Sequence, residues 1–192
     1  YNLPVDIIET RLPGSKVTVW LVDCPAAFDR PGGPYNDAHG HEWHDNALRF
    51  TIFCHAAVDI ALNEAGLKWQ PDIVHCNDWQ AALVPALLSQ FDTHPASVFT
   101  IHNLAYQGIR PLRGHPSALE SWFPQISYTR KVVRDTRYAD CANLMAISLR
   151  LADGINTVSP GYAREILLPS DPRRGFVGGE GLETDLQAAD NE

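Results

Sequence analysis

Positive charge is in short supply in this chain: 15 Lys and Arg face 23 Asp and Glu across 192 residues, a formal net charge of −8. An acidic surface of this kind gives nucleic acid and anionic lipid nothing to hold, so both are excluded as partners. No apolar run approaches the roughly 20 residues that a membrane-spanning helix requires. Cysteine is sparse as well. Cys24, Cys54, Cys76 and Cys141 lie far apart with no Cys-x-x-Cys pair, which fits neither a disulfide framework nor a thiolate zinc site and makes a reducing cytoplasm the expected location. The Gly-x-Gly-x-x-Gly, Gly-x-x-x-x-Gly-Lys-Ser/Thr and Gly-x-Ser-x-Gly motifs are all missing, so a dinucleotide fold, a P-loop and a nucleophile elbow lack their backbone signatures. Internal repeats are missing too, which sets solenoid folds aside. No secretory leader follows Tyr1, and the start without methionine reads as a truncation.

Hydrophobic residues make up 45% of the chain, enough for a substantial core, and the length suits one domain. Lys16 to Val22 is short, β-branched and aromatic, which predicts a buried strand. Arg30 to His44 is too rich in Pro and Gly for regular structure and predicts a long loop. Leu48, Ile52, His55, Val58, Ala61, Leu62 and Ala65 then fall on one helical face, beginning near Asp45 and stopped by Gly66.

Strands and helices alternate from there. Strands are expected at Ile73–Cys76, Ser97–Ile101 and Ile155–Val158, and helices at Trp79–Ser89, Tyr138–Leu151 and Pro160–Ile166. This alternation predicts an α/β fold, a Rossmann-like parallel sheet flanked by helices, over residues 1–166. Residues 167–192 carry no sustained period and read as a loop or linker.

Ligands of open α/β sheets bind beyond the carboxyl ends of the strands. Those ends are polar here: Asn77-Asp78-Trp79 after the first strand, His102-Asn103 after the second and Ser159 after the third. A carboxylate, an imidazole and a primary amide together suit the many hydroxyls of a sugar. The plainer alternative is that Asp78 caps the helix beginning at Trp79 and that Asn103 serves a turn. His39, His41, His44 and Asp45 superficially resemble the ligand run of a metallo-β-lactamase, but Trp43 occupies the place of an aspartate ligand, so no metal site is expected. Arg130, Lys131, Arg134 and Arg137 have helical spacing and read as a solvated face rather than a phosphate or glycan site.

Three longer segments are more specific than the pattern. Pro71 to Gln80 (PDIVHCNDWQ), Ser97 to Gly108 (SVFTIHNLAYQG) and Ala152 to Ile166 (ADGINTVSPGYAREI), with Asp29 to Tyr35 and Asp45 to Phe50 in the same order, resemble bacterial glycogen synthase and plant starch synthase. The resemblance runs from about Val17 to Leu186. It implies the incomplete N-terminal, acceptor-side half of a two-domain GT-B-type glycosyltransferase. Such an enzyme passes glucose from ADP-glucose to the non-reducing end of an α-1,4-glucan with retention, and the donor is a substrate, with no cofactor or metal.

By resemblance, Asp78 and His102 are the catalytic positions, Asp78 acting as an orienting carboxylate and not as a nucleophile. Tyr35 lies near the sugar, Asn103 contacts the donor glucose beside His102, and Trp79 is available for sugar stacking. Asn77 and Gln80 replace histidines that many family members carry, so those two positions keep hydrogen bonding but lose titration near neutral pH. The family's Lys-x-Gly-Gly-Leu loop and its second, nucleotide-holding domain are not in the sequence, which leads to the expectation that the chain alone is inactive. A non-catalytic glycan-binding module, using Tyr35, Trp43 and Trp79, is the alternative from another class; a metal-dependent hydrolase built on the His39 cluster is a third.

Overall fold

The computed structural model describes residues 3–122 and 131–190. Strand β1 (Asp6–Arg11) and strand β2 (Thr18–Asp23) form an antiparallel hairpin, with Asp6 opposite Asp23 and Arg11 opposite Thr18. Gly14 takes φ 73° in the connecting turn, a conformation open to glycine without a Cβ clash. The strand expected at Lys16–Val22 is present, but it is not buried: Val17 and Leu21 are half exposed. The reason is topological, because among the described residues β2 pairs only with β1 and does not join the parallel sheet. Helix α1 (Pro25–Phe28) is a single turn, and the Pro-Gly loop follows it.

Helix α2 (Asn46–Ala61) ends earlier than Gly66, where Asn63 adopts a left-handed φ of 61° beyond the last turn. Its buried stripe is also displaced from the expected one. Cys54, Val58 and Ala61 face the core, whereas Leu48 and Ile52 are only partly covered. The N-terminal turns instead bury Asn46 and Arg49 under the Pro-Gly loop.

Strand β3 (Ile73–Asn77) leads into a 3-10 turn at Trp79–Ala81 and then helix α3 (Leu83–Leu88), two pieces where one helix was expected. Strand β4 (Ala96–Ile101) follows, then a short strand β5 (Ile109–Pro111), helix α4 (Leu119–Trp122) and a 3-10 turn at Lys131–Val133. Of the basic run, Lys131 opens that 3-10 turn, Arg134 and Arg137 lie outside any helix, and Arg130 lies outside the described residues. Strand β6 (Cys141–Asn143) pairs antiparallel with β5, so the helix expected from Tyr138 begins only at Leu144. Asn143 starts that helix, α5 (Leu144–Leu151), by accepting the Ala146 N–H at 3.0 Å, which satisfies one of the free donors of its first turn.

Strand β7 (Gly154–Thr157) completes a parallel sheet of order β3-β4-β7, with Val74 opposite Ser97 and Val98 opposite Gly154. The parallel α/β reading holds. Phe99 and Ile101 of β4 meet Leu88, Met145 and Ile147 of α3 and α5 in a fully buried core, where each large side chain contributes roughly 1.5–3 kcal/mol. Ser148 Oγ donates to Ala82 O at 2.6 Å and fixes α5 against the start of α3.

Helix α6 (Pro160–Glu165) is capped by Ser159, whose Oγ accepts from Tyr162 N. Residues 167–190 differ from the expected loop or linker. They include a 3-10 turn at Pro172–Arg174 and helix α7 (Glu183–Ala189), which buries Leu186 while Leu182, just before it, is also buried. Arg150 makes two bonds to Asp185, at 2.8 and 2.7 Å, and so ties α7 to α5. Two apolar residues at i and i+4 are too short a signal to register as a helical period.

Candidate functional site

The C-terminal ends of β3 and β4 converge. Asp78 follows β3 with φ 53° and ψ −176°, a backbone conformation that non-glycine residues seldom adopt. Its surroundings hold it there. Asp78 N donates to Thr100 O at 3.1 Å, and its Oδ1 accepts the backbone N–H groups of His102 at 2.8 Å and Asn103 at 3.4 Å. The carboxylate thus clamps the loop after β4, and it makes no capping bond to the turn at Trp79. The capping alternative for Asp78 is therefore not met.

His102 is exposed, with Nε2 3.0 Å from Asn77 Oδ1; with that oxygen as acceptor, Nε2 carries the proton. Asn103 Oδ1 accepts Ala105 N at 2.9 Å, so its oxygen does serve a turn, while the residue also lines a cleft. Leu104 N donates to the Tyr162 hydroxyl at 3.2 Å, which fixes the same loop to α6.

Tyr35 reaches this region from the Pro-Gly loop and is 47% exposed. The loop rests on Arg49, a buried guanidinium that donates to Ala27 O at 2.9 Å, Pro34 O at 2.9 Å and Asn46 Oδ1 at 2.7 Å. Burial, followed by the neighbouring charge of Arg30, lowers its pKa from the ordinary arginine value. Asn46 in turn donates to Tyr35 O at 3.0 Å, and Arg30 grips Asp45 through two bonds of 3.0 and 2.9 Å. Close backbone approach is needed at Gly32, where φ is 141° and a Cβ would stand 2.6 Å from Asn36 O.

Two clefts meet at Tyr35, Asp78 and Gln80. One, of about 710 Å³, takes in Asn103, Tyr106 and Arg110; the other, of about 620 Å³, takes in His75, Asn77 and His102. All five residues expected at the site therefore line these clefts. Trp79 does so from within the core. It is 7% exposed, set edge-on to Phe50 at 5.0 Å, with the Arg110 guanidinium 5.4 Å from its ring centroid. Gly108, with φ 66°, approaches so closely that a Cβ there would stand 2.8 Å from the indole. Trp79 is a wall of the cleft and part of the core, with only a small part of the indole open to a ligand.

The histidine run forms a turn. Asp37 Oδ1 accepts the N–H groups of His39 and His41 at 2.8 and 2.9 Å, bonds that, with His41 first, lower its carboxyl pKa from the ordinary value. Among the described residues, no three His, Cys, Asp or Glu side chains are grouped to hold a metal ion. Cys76 borders the second cleft, but burial pushes its thiol up to about 12, which removes it as a nucleophile near neutral pH. Arg137 is not simply a solvated base either: it donates to Gln107 Oε1 at 2.8 Å.

Residues 2–188 match the family model of the starch synthase catalytic domain. The chain belongs to that family. It is 49% identical over 179 residues to a glycogen synthase of Cellvibrio japonicus (strain Ueda107), covering 88% of this chain and 34% of the relative. It is 46% identical over 172 residues to that of Thioalkalivibrio sulfidiphilus (strain HL-EbGR7), covering 90% and 34%. The chain thus spans about a third of the length of these curated relatives. The catalytic domain of starch synthase IV from Arabidopsis thaliana, solved bound to ADP and acarbose, has the same fold with a TM-score of 0.72 and 25% identity; the match covers 99% of this chain and 39% of that one.

Membership in the starch synthase family accounts for the strand-end motifs, but several site-forming residues escaped sequence reasoning. Glu42, Asn46 and Arg110 are the main ones. Arg110 carries no local signal, because Ile109-Arg110-Pro111 is too short to read as a strand.

Proposed function

We propose that this chain supplies the acceptor-side wall of an ADP-glucose-dependent glucosyltransferase that lengthens α-1,4-glucans with retention, as in glycogen synthesis in the cytoplasm. Residues 1–166 belong to that wall, and a separate nucleotide-holding domain completes the enzyme. The observation that carries this reading is the meeting of Tyr35, Asp78, His102 and Asn103 at two adjoining clefts, in a chain 49% identical to a glycogen synthase.

The chemistry is consistent with it. A phenol, a primary amide and an imidazole offer matched donors and acceptors to sugar hydroxyls. Glycosyl transfer builds positive charge on the sugar ring, so the gain comes from positioning and fixed dipoles. His102 and Asn103 hold the donor glucose, Tyr35 lies beside the sugar, and Asp78 acts through the loop it clamps. ADP-glucose is a substrate in this scheme, and no cofactor takes part. The similarity of the starch synthase bound to ADP and acarbose supports a nucleotide and a glucan as the two ligands.

The test is incorporation of labelled glucose from ADP-glucose into glycogen by the full-length enzyme. Transfer dependent on His102 and Tyr35 supports the reading, and transfer indifferent to both removes it.

A further inference from the structure

The Pro-Gly loop that delivers Tyr35 touches the far wall of the larger cleft through one ion pair. Arg110 Nη2 lies 3.1 Å from Glu42 Oε1, across 68 residues of sequence. The same arginine donates Nη1 to Ile109 O at 3.0 Å and rests over the Trp79 ring, so its guanidinium is fixed at three points and only 20% exposed. On the other side, Glu42 pairs with Asn36 in an isolated β-bridge, next to Tyr35. Asn46 Nδ2 donates both to Glu42 Oε1 at 3.3 Å and to Tyr35 O at 3.0 Å. One continuous path of bonds therefore runs from β5 to the backbone of Tyr35.

We infer that Arg110 is a positioning residue for the transfer reaction: through Glu42 and Asn46 it straps the Tyr35 loop across the cleft and sets where the tyrosine meets the glucan. A guanidinium suits this task because its planar fork keeps one N–H on β5 while another reaches the carboxylate. Glu42 is 60% exposed at its side chain, so the pair adds little to global stability. Its effect is local, on a loop otherwise held from beneath by Arg49.

The inference rests on the proposed glucan transfer, and two readouts separate them. Hydrogen exchange on the full 192-residue chain reads the strap directly. Arg110→Gln should speed exchange of segment 33–46, which includes the Trp43 N–H bonded to Tyr35 O, by about two- to five-fold, and leave β4 and β7 unchanged. Glu42→Gln should do the same, the double variant should add nothing further, and Arg110→Lys should restore part of the protection. In the full-length enzyme, Arg110→Gln should raise the glucan KM by a similar factor of about two to five with kcat little changed, and lose that effect in a Tyr35→Ala background. Unchanged exchange in segment 33–46, or a KM shift that persists in full without Tyr35, overturns the inference. Faster exchange in an enzyme that transfers no glucose would leave the strap standing and remove the proposed reaction.

Discussion

Asp78 Oδ1 accepts the backbone N–H of His102 at 2.8 Å, so the carboxylate that ends β3 sets the position of the imidazole that ends β4. The two residues act as a clamp and the group it holds. Asp78 does so from φ 53° and ψ −176°, a region that costs of order 1–3 kcal/mol for a residue with a Cβ.

That geometry separates two substitutions. Asp78→Ala loses the clamp and keeps the strain, whereas Asp78→Gly loses the clamp and relieves the strain. The glycine variant should be the more stable by about 1 kcal/mol in urea unfolding. An alanine variant of equal or greater stability would contradict the strain assigned to this position.

Arg49 carries the floor of the Pro-Gly loop. Arg49→Met removes the donor from Ala27 O, Pro34 O and Asn46 Oδ1 and should lower unfolding stability by about 3 kcal/mol. Arg49→Lys cannot span the three acceptors and should lie between the two. A urea midpoint unaltered in Arg49→Met would show that the loop does not depend on this guanidinium.

Asp153 links β4 to the start of β7. Its Oδ2 accepts Ser97 N at 2.7 Å and Ser97 Oγ at 2.9 Å, and these bonds, the backbone one foremost, lower its carboxyl pKa from the ordinary value. A depressed folded-state pKa gives stability that is present above the unfolded value near 3.8 and is lost as pH falls through the lower folded value. Asp153→Asn should flatten the acid side of the stability curve and change little in its shape above pH 5. Identical acid limbs in the two proteins would count against the assignment.

Cys54 and Cys76 are both buried, and burial pushes each thiol up to about 12. Neither should react with a thiolate-selective alkylating reagent at pH 7 in the folded chain, and both should react in urea. Mass spectrometry of the native, labelled chain checks this; rapid modification of Cys76 would mean that the floor of the second cleft is open.

The parts legible in the sequence were those written in contiguous residues. The ends of β3 and β4 carry Asn77-Asp78 and His102-Asn103 directly after apolar strands, so the pattern located both the sheet and its polar rim. What stayed hidden depends on partners distant along the chain. Strand β6 exists because it pairs with β5, and Asn143 then becomes a helix cap inside a run that reads as continuous helix. Trp79 looks available for stacking until Phe50, Gly108 and Arg110 close around it. The Arg110–Glu42 contact has no local signature at all, since each residue by itself reads as an ordinary surface charge.

The central claim is that the cleft shared by Tyr35, Asp78 and the His102 loop holds the glucose in transfer. Its most direct test is the rate of glucose incorporation from ADP-glucose into glycogen by the full-length enzyme, wild type against His102→Ala. Because His102 is exposed, the substitution should leave thermal unfolding unchanged while turnover falls by about 100-fold or more; a folded variant with near-normal turnover would contradict the account.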